Sequence, residues 1–263
     1  MSRNFELLQK LGKEQEILHP VPSEVPVTPV ASPLPVATAS PTASLAGVAV
    51  APALEKSGLE EADGIVQQLF LLPSGNPPRT VVFASTEPGA GCTWVCSHVA
   101  DVLASRIAGT VCLVDANLRE PGLHQVFGVE NYRGLSEALL QADPIRGFAR
   151  PLGMPNLWMI SAGSAREAGQ TVLLSDRMRL RLNELRAEFD FILVDSPAMN
   201  LGGDACGLGS FADGVVLVLK ANTSRKQNAR EFVEELQAAK ANVLGAVLNR
   251  RTFPIPEKLY KRL

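Results

Sequence analysis

One stretch of the 263-residue chain has residue types in an order that can do phosphate chemistry. It runs Val81-Val82-Phe83-Ala84-Ser85-Thr86-Glu87-Pro88-Gly89-Ala90-Gly91-Cys92-Thr93-Trp94. An apolar strand feeds a glycine-rich turn, and a helix is expected to follow. That order aims successive backbone N–H groups and a helix N-terminus at one point, which suits a phosphate. The phosphate-loop pattern G-x-x-x-x-G-K-[ST] puts a lysine just before a hydroxyl that binds Mg²⁺. Here Thr93 keeps the hydroxyl, Cys92 holds the lysine position and Thr86 holds the first glycine position. The stretch therefore points to nucleotide binding and casts doubt on turnover. Two acids add to it. Asp115 closes Val111-Cys112-Leu113-Val114, and Asp195 closes Phe191-Ile192-Leu193-Val194. In a parallel sheet both would lie on the face that holds the loop. An aspartate beside a phosphate needs Mg²⁺ to offset it, or it repels the ligand. The plainer role of each is to cap the turn or helix that follows.

The elements that must position these residues follow from the apolar pattern. Short continuous apolar runs at 80–85, 110–115, 157–161, 191–195, 214–219 and 243–248 read as strands covered on both faces. Helical patterns at 93–106, 135–141, 175–188 and 224–240 lie between most of them. This alternation predicts an α/β fold: a doubly wound, mostly parallel sheet with ligand sites at the strand C-terminal ends. Residues 57–253 form that domain in this reading. Ahead of it, residues 1–19 read as a short amphipathic helix with Phe5, Leu8 and Leu11 on one stripe and Leu7 beside it, which could dock on a partner helix, lie on a membrane surface or fold back on the domain; its mixed charges make docking the preferred reading. Residues 20–56 read as a disordered Pro/Ala-rich linker, punctuated from Pro20 to Pro52. Residues 254–263 form a basic tail.

Composition narrows the classes. With 46% hydrophobic residues the chain can bury one sizeable core and still carry an appendage. A formal net charge of -2 gives no basic domain for nucleic acid. No apolar run approaches the ~20 residues that span a bilayer, and charges throughout residues 3–16 argue against a secretory signal. The four cysteines, Cys92, Cys96, Cys112 and Cys206, include no C-x-x-C pair and accompany no histidine cluster. Neither a zinc site nor a disulfide framework is indicated, which fits a reducing cytoplasm.

Four segments together carry a resemblance: Thr86-Glu87-Pro88-Gly89-Ala90-Gly91-Cys92-Thr93, Leu113-Val114-Asp115-Ala116-Asn117-Leu118-Arg119-Glu120-Pro121-Gly122-Leu123-His124, Gly134-Leu135-Ser136-Glu137-Ala138-Leu139-Leu140 and Phe189-Asp190-Phe191-Ile192-Leu193-Val194-Asp195-Ser196-Pro197. They resemble the bacterial tyrosine kinase family, the P-loop ATPase domains that serve capsular and exopolysaccharide synthesis and export. The likeness covers most of residues 60–252, and the wider MinD/ParA-like group shares the fold but less of the 115–124 segment. The resemblance implies that Gly89, Ala90, Gly91, Cys92 and Thr93 cradle the phosphates of ATP or ADP. It implies that Thr93, Asp115 and Asp195 hold Mg²⁺, with Asp115 and Asp195 as the catalytic acids. Asn249 would contact the adenine edge, with a strand-end turn as its plainer role. Trp94 lies beside the nucleotide or packs on the first helix.

The chain also departs from the family. Cys92 replaces the lysine, and Asn117 stands where a second aspartate is usual. Glu61, Gly64 and Gln67 occupy a place resembling the family's Glu-x-x-Arg-x-x-Arg oligomer motif, without its arginines. The C-terminal tyrosine cluster is absent; the chain has only Tyr132 and Tyr260. A unit charge ~4 Å from a phosphate oxygen contributes about 4 kcal/mol at an effective dielectric near 20, so the lost lysine matters. Lys220 and Arg119 follow strand ends and are candidate substitute cations. Cys92 itself reads as either a reactive thiolate at a helix N-terminus or, preferably, an inert filler.

The expectation is a cytoplasmic, ATP-binding, tyrosine-kinase-like protein of exopolysaccharide or capsule biosynthesis with impaired catalysis. Resemblance alone implies a membrane-embedded chain-length regulator or export component as partner, peripheral placement at the inner face of the membrane through it, and leaves homo-oligomer formation open. The alternative is a non-catalytic docking regulator; a MinD/ParA-type positioning ATPase is less favoured.

Overall fold

The structure is a computed structural model that describes residues 56–71, 76–199 and 203–250. The amphipathic helix over 1–19, the linker up to residue 55, the basic tail over 254–263 and Tyr260 lie outside the described residues. Among the described residues no helix is long and apolar enough to cross a membrane.

Seven strands form one sheet: β1 (Thr80–Ser85), β2 (Val111–Asp115), β3 (Arg150–Pro151), β4 (Leu157–Ile160), β5 (Phe191–Asp195), β6 (Gly214–Lys220) and β7 (Val243–Asn249). Their order across the sheet is β3-β4-β2-β5-β1-β6-β7. All pairings are parallel except that of β3 with β4. The helices are α1 (Lys56–Val66), α2 (Cys92–Arg106), α3 (Leu123–Phe127), α4 (Leu135–Leu140), α5 (Arg166–Val172), α6 (Asp176–Glu188), α7 (Asp204–Phe211) and α8 (Lys226–Ala238). A π-helical turn, Gln67–Leu71, continues α1.

Strand residues alternate between two buried layers, because successive side chains leave a strand on opposite faces. Val81, Phe83, Val111, Leu113 and Val216 pack with α1, α2 and α3 through Ala62, Val95, Val99, Leu103 and Phe127. Val82, Ala84, Cys112, Val114 and Val215 pack on the other face with Leu139, Met178, Leu185, Leu208 and Phe232. β1, β2 and β5 are central, so their apolar runs are buried on both faces, as expected of parallel strands.

The expectation of strands covered on both faces fails for β7. It is the edge strand, and Gly245, Ala246 and Leu248 are exposed. Only its last residue, Asn249, is buried. Several elements have no counterpart in the sequence reading: β3, α1, α3, α5 and α7. The helix α1 opens at Lys56, the residue assigned there to the end of the linker.

Candidate active site at the tips of β1, β2 and β5

The strand order brings the loop and the two acids together. β1 is flanked by β5 and β6, while β2 lies on the far side of β5. The β1 chain leaves the sheet at Ser85, turns through residues 86–91 and enters α2 at Cys92. Two glycines make the turn: Gly89 has φ 73° and Gly91 has φ 89°, in the left-handed region where a side chain is strained. Among the described residues, the N–H groups of Gly89, Ala90 and Gly91 donate to no backbone carbonyl. The first intrahelical bond is Val95 N–H to the Gly91 carbonyl, at 3.0 Å. The amides ahead of it have no helical acceptor, which is the general condition of a helix N-terminus. Gly91 caps α2 without a side-chain bond.

Asp115 and Asp195 are direct register partners across β2 and β5, and both are fully buried. The Thr93 hydroxyl donates to Asp195 Oδ2 at 2.6 Å. Asp195 Oδ1 is buried and has no hydrogen-bond partner. Asp115 is more committed: Oδ1 accepts from Asn117 N–H at 3.2 Å, and Oδ2 accepts from Gly122 N–H at 3.2 Å and Leu123 N–H at 3.1 Å. It therefore caps α3, the plainer role, while standing beside Asp195. Gly122 lets α3 approach the loop closely: a Cβ there would lie 3.1 Å from Thr93 Cγ2, a tight contact.

Two buried carboxylates side by side disfavour ionisation. Burial pushes the Asp195 carboxyl up to about 6, against the lowering pull of the Thr93 hydroxyl and the Cys92 thiol. Burial, then the Asp195 charge, holds Asp115 well above the usual carboxylate range, against its three N–H donors. Such a pair suits a divalent cation. Among the described residues no group of three or more His, Cys, Asp or Glu forms a cage for an ion. Mg²⁺ requires none, since it uses one or two protein oxygens together with waters and phosphate oxygens. The unpartnered Asp195 Oδ1 and the adjacent Thr93 hydroxyl thus fit Mg²⁺.

The cleft above these tips has a volume of about 350 Å³. Residues 89–94, Asn117, Glu120, Ser196 and Arg250 are among its lining residues. Trp94 is half-buried in that lining and also stacks on His98, with ring centroids 3.9 Å apart. Asn249 lies against the loop, but both ends of its amide are engaged: Nδ2 donates to the Ala90 carbonyl at 2.9 Å, and Oδ1 accepts from Arg250 N–H at 2.8 Å.

Other residues lie elsewhere than expected. Arg119 faces Asp204 at 3.4 Å and lines a separate cleft with Arg166 and Gln170. Lys220 is not in the loop cleft either. The cation that does line it, Arg250, was missed; the available signal was its place directly after Asn249 at the end of the last strand. The surroundings of Cys92 favour the inert filler over the reactive thiolate. Burial, then the Asp195 charge, raises its thiol well above the ordinary value. Gln67 donates to Asp63 at 3.0 Å, and Asp63 in turn pairs with Arg106 at 2.7 Å.

Comparison with known proteins agrees with this architecture. No family model matches the chain. Tyrosine-protein kinase YwqD of Bacillus subtilis is 30% identical over 171 residues, 65% of this chain and 72% of the relative. The putative tyrosine-protein kinase EpsB of Ralstonia nicotianae is 31% identical over 182 residues, covering 69% of this chain but only 24% of that protein. The solved kinase domain of Escherichia coli tyrosine kinase ETK superposes with a TM-score of 0.65 at 25% identity, over 75% of this chain and 78% of that one. The chain belongs to the bacterial tyrosine-protein kinase family, with a doubly wound P-loop fold whose loop has lost its lysine.

Proposed function

We propose that this protein binds Mg·ATP in the loop cleft and acts as a tyrosine-kinase-like component of exopolysaccharide or capsule synthesis and export. The observation that supports this most is the hydrogen bond from Thr93, at the end of the loop, to Asp195, which stands beside the buried Asp115. Thr93 and Asp195 would hold Mg²⁺, with Asp115 beside them. When bound, the ion neutralises phosphate charge and orients the terminal phosphates. The loop amides bind the phosphate oxygens. Asp115, buried beside Asp195 at the tip of β2, would accept the proton of the incoming tyrosine hydroxyl as that oxygen bonds to the γ-phosphorus and ADP leaves, its charge held by the nearby Mg²⁺.

The buried, neutral Cys92 supplies no charge to that transfer. A loss of ~3 kcal/mol in the transition state slows transfer by roughly a hundredfold. Activity is therefore low rather than absent in this reading. The partner would be a membrane-embedded regulator of chain length, which would place the protein at the inner face of the membrane. A second reading, a docking regulator without turnover, draws support from Cys92 and from the missing tyrosine cluster.

The test measures transfer of labelled γ-phosphate to a tyrosine peptide. Slow transfer by the wild type, faster by about tenfold or more in Cys92→Lys and lost in Asp115→Asn, is the expected pattern. No transfer by either the wild type or Cys92→Lys would replace this reading with the regulator.

A further inference from the structure

The loop has lost its lysine, yet a cation still faces it. We propose that Arg250 supplies the phosphate-facing charge that Cys92 does not, clamping the nucleotide phosphates from the β7 side of the loop. This inference rests on the nucleotide-binding reading above.

Three observations converge on Arg250. First, among the described residues it is the one Arg or Lys side chain that lines the loop cleft. The other charged lining residue is Glu120, which opposes an anion and makes a facing cation more useful. Second, Arg250 is fastened to the loop itself. Its N–H donates to Asn249 Oδ1, and Asn249 Nδ2 donates to the Ala90 carbonyl. The Arg250 backbone and the loop are thus tied through one buried amide, Asn249, which sets where the arginine side chain starts. Gly91 permits that approach: a Cβ there would collide with Asn249 Nδ2 and stand 3.9 Å from Arg250 Nε. Third, Arg250 has φ 55°. A long side chain seldom takes the left-handed conformation, and such positions concentrate at ligand sites.

Chemistry favours the exchange. A guanidinium presents a rigid fork of N–H donors that can bind two oxygens of one phosphate. A guanidinium also brings a positive charge, which a cysteine side chain in the lysine position cannot supply. Charge for holding the phosphates is thus supplied in part from the end of β7, a different place in the sequence and an adjoining one in space, while the transition-state charge of a loop lysine is still missing.

The 263-residue chain carries the test, with affinity for Mg·ATP measured calorimetrically. Arg250→Met keeps the apolar stem and is expected to weaken binding by about tenfold to a hundredfold. Arg250→Lys keeps the charge but not the fork, and is expected to weaken binding by clearly less than Arg250→Met does. Adding Cys92→Lys to Arg250→Met is expected to restore affinity, which a merely structural arginine would not allow. Where Cys92→Lys does not fold, the contrast between Arg250→Met and Arg250→Lys still decides. Unchanged affinity in Arg250→Met, or equal loss in both Arg250 variants, overturns the inference while leaving the nucleotide site standing. No binding by the wild type overturns both.

Discussion

Asp115 and Asp195 stand opposite each other on adjacent parallel strands, fully buried, with no basic side chain among the described residues bonded to either. Two acids placed this way cost stability in the free protein. Burial raises the Asp195 carboxyl to about 6 from an ordinary 3.8. The folded state therefore takes up a proton that the unfolded state releases, and this group's contribution favours folding less as pH rises between those values. Asp195→Asn is expected to stabilise the Mg²⁺-free protein by on the order of 2 kcal/mol at pH 7.5. That gain should shrink as pH falls toward 4. Urea melts of both proteins across that range check it. An Asp195→Asn variant less stable than wild type at pH 7.5 would count against buried charge as the cost.

Glu137 shows the opposite behaviour. Its Oε1 accepts from Ser164 N–H at 2.9 Å, Ser164 Oγ–H at 2.8 Å and Ala165 N–H at 2.8 Å. Its Oε2 accepts from Gly134 N–H at 2.8 Å and Ser136 Oγ–H at 3.1 Å. Burial alone would raise this carboxyl, but the combined donors bring it below its ordinary value. The resulting stability is present above the unfolded pKa and lost as pH falls through the folded one. Glu137→Gln turns one acceptor into a donor facing donors and should cost about 2–3 kcal/mol at pH 7. The difference from wild type should narrow below pH ~4.5. A pH-independent difference would show that lost packing, rather than charge, is responsible.

The four cysteines divide by burial. Cys92, Cys96 and Cys112 are buried, while Cys206 is half-buried. Burial raises all four thiols, and the Asp195 charge adds to the effect at Cys92 and Cys96. Native protein treated with a maleimide at pH 7.5 should label at Cys206 first, with Cys92 reacting only on unfolding. Mass spectrometry of tryptic peptides locates the label. Rapid labelling of Cys92 would revive the thiolate that its position at the start of α2 suggested.

The central strands were legible because β1, β2 and β5 are short runs of Val, Leu, Ile and Phe that end in a polar residue. An apolar run does not reveal its place in the sheet, however. The β7 run looks like the others but forms the edge, since its burial depends on what stacks beside it. Helix α7 was hidden because Asp204-Ala205-Cys206-Gly207-Leu208-Gly209 carries two glycines that weaken any helical pattern. Gly209 is there for packing: a Cβ would lie 2.6 Å from Val215 Cγ2. Residues 89–93, Asp115 and Asp195 could be read because motif and strand end coincide. Arg250 could not, because its position depends on β7 pairing with β6 and on Asn249 reaching back to Ala90. Of the two readings of Asp115, the structure shows the cap: Asp115 accepts from the first amides of α3, and it stands beside Asp195, while its part in holding Mg²⁺ is proposed.

Binding of Mg²⁺-nucleotide in this cleft underlies every functional statement above. Calorimetric titration of the wild type and Thr93→Val with ADP, with and without Mg²⁺, tests it most directly. Saturable binding that Mg²⁺ strengthens in the wild type but not in Thr93→Val is the predicted result, with about 2.7 kcal/mol of stabilisation at a hundredfold excess over Kd. Absence of heat and of any thermal stabilisation at millimolar Mg·ADP would contradict it.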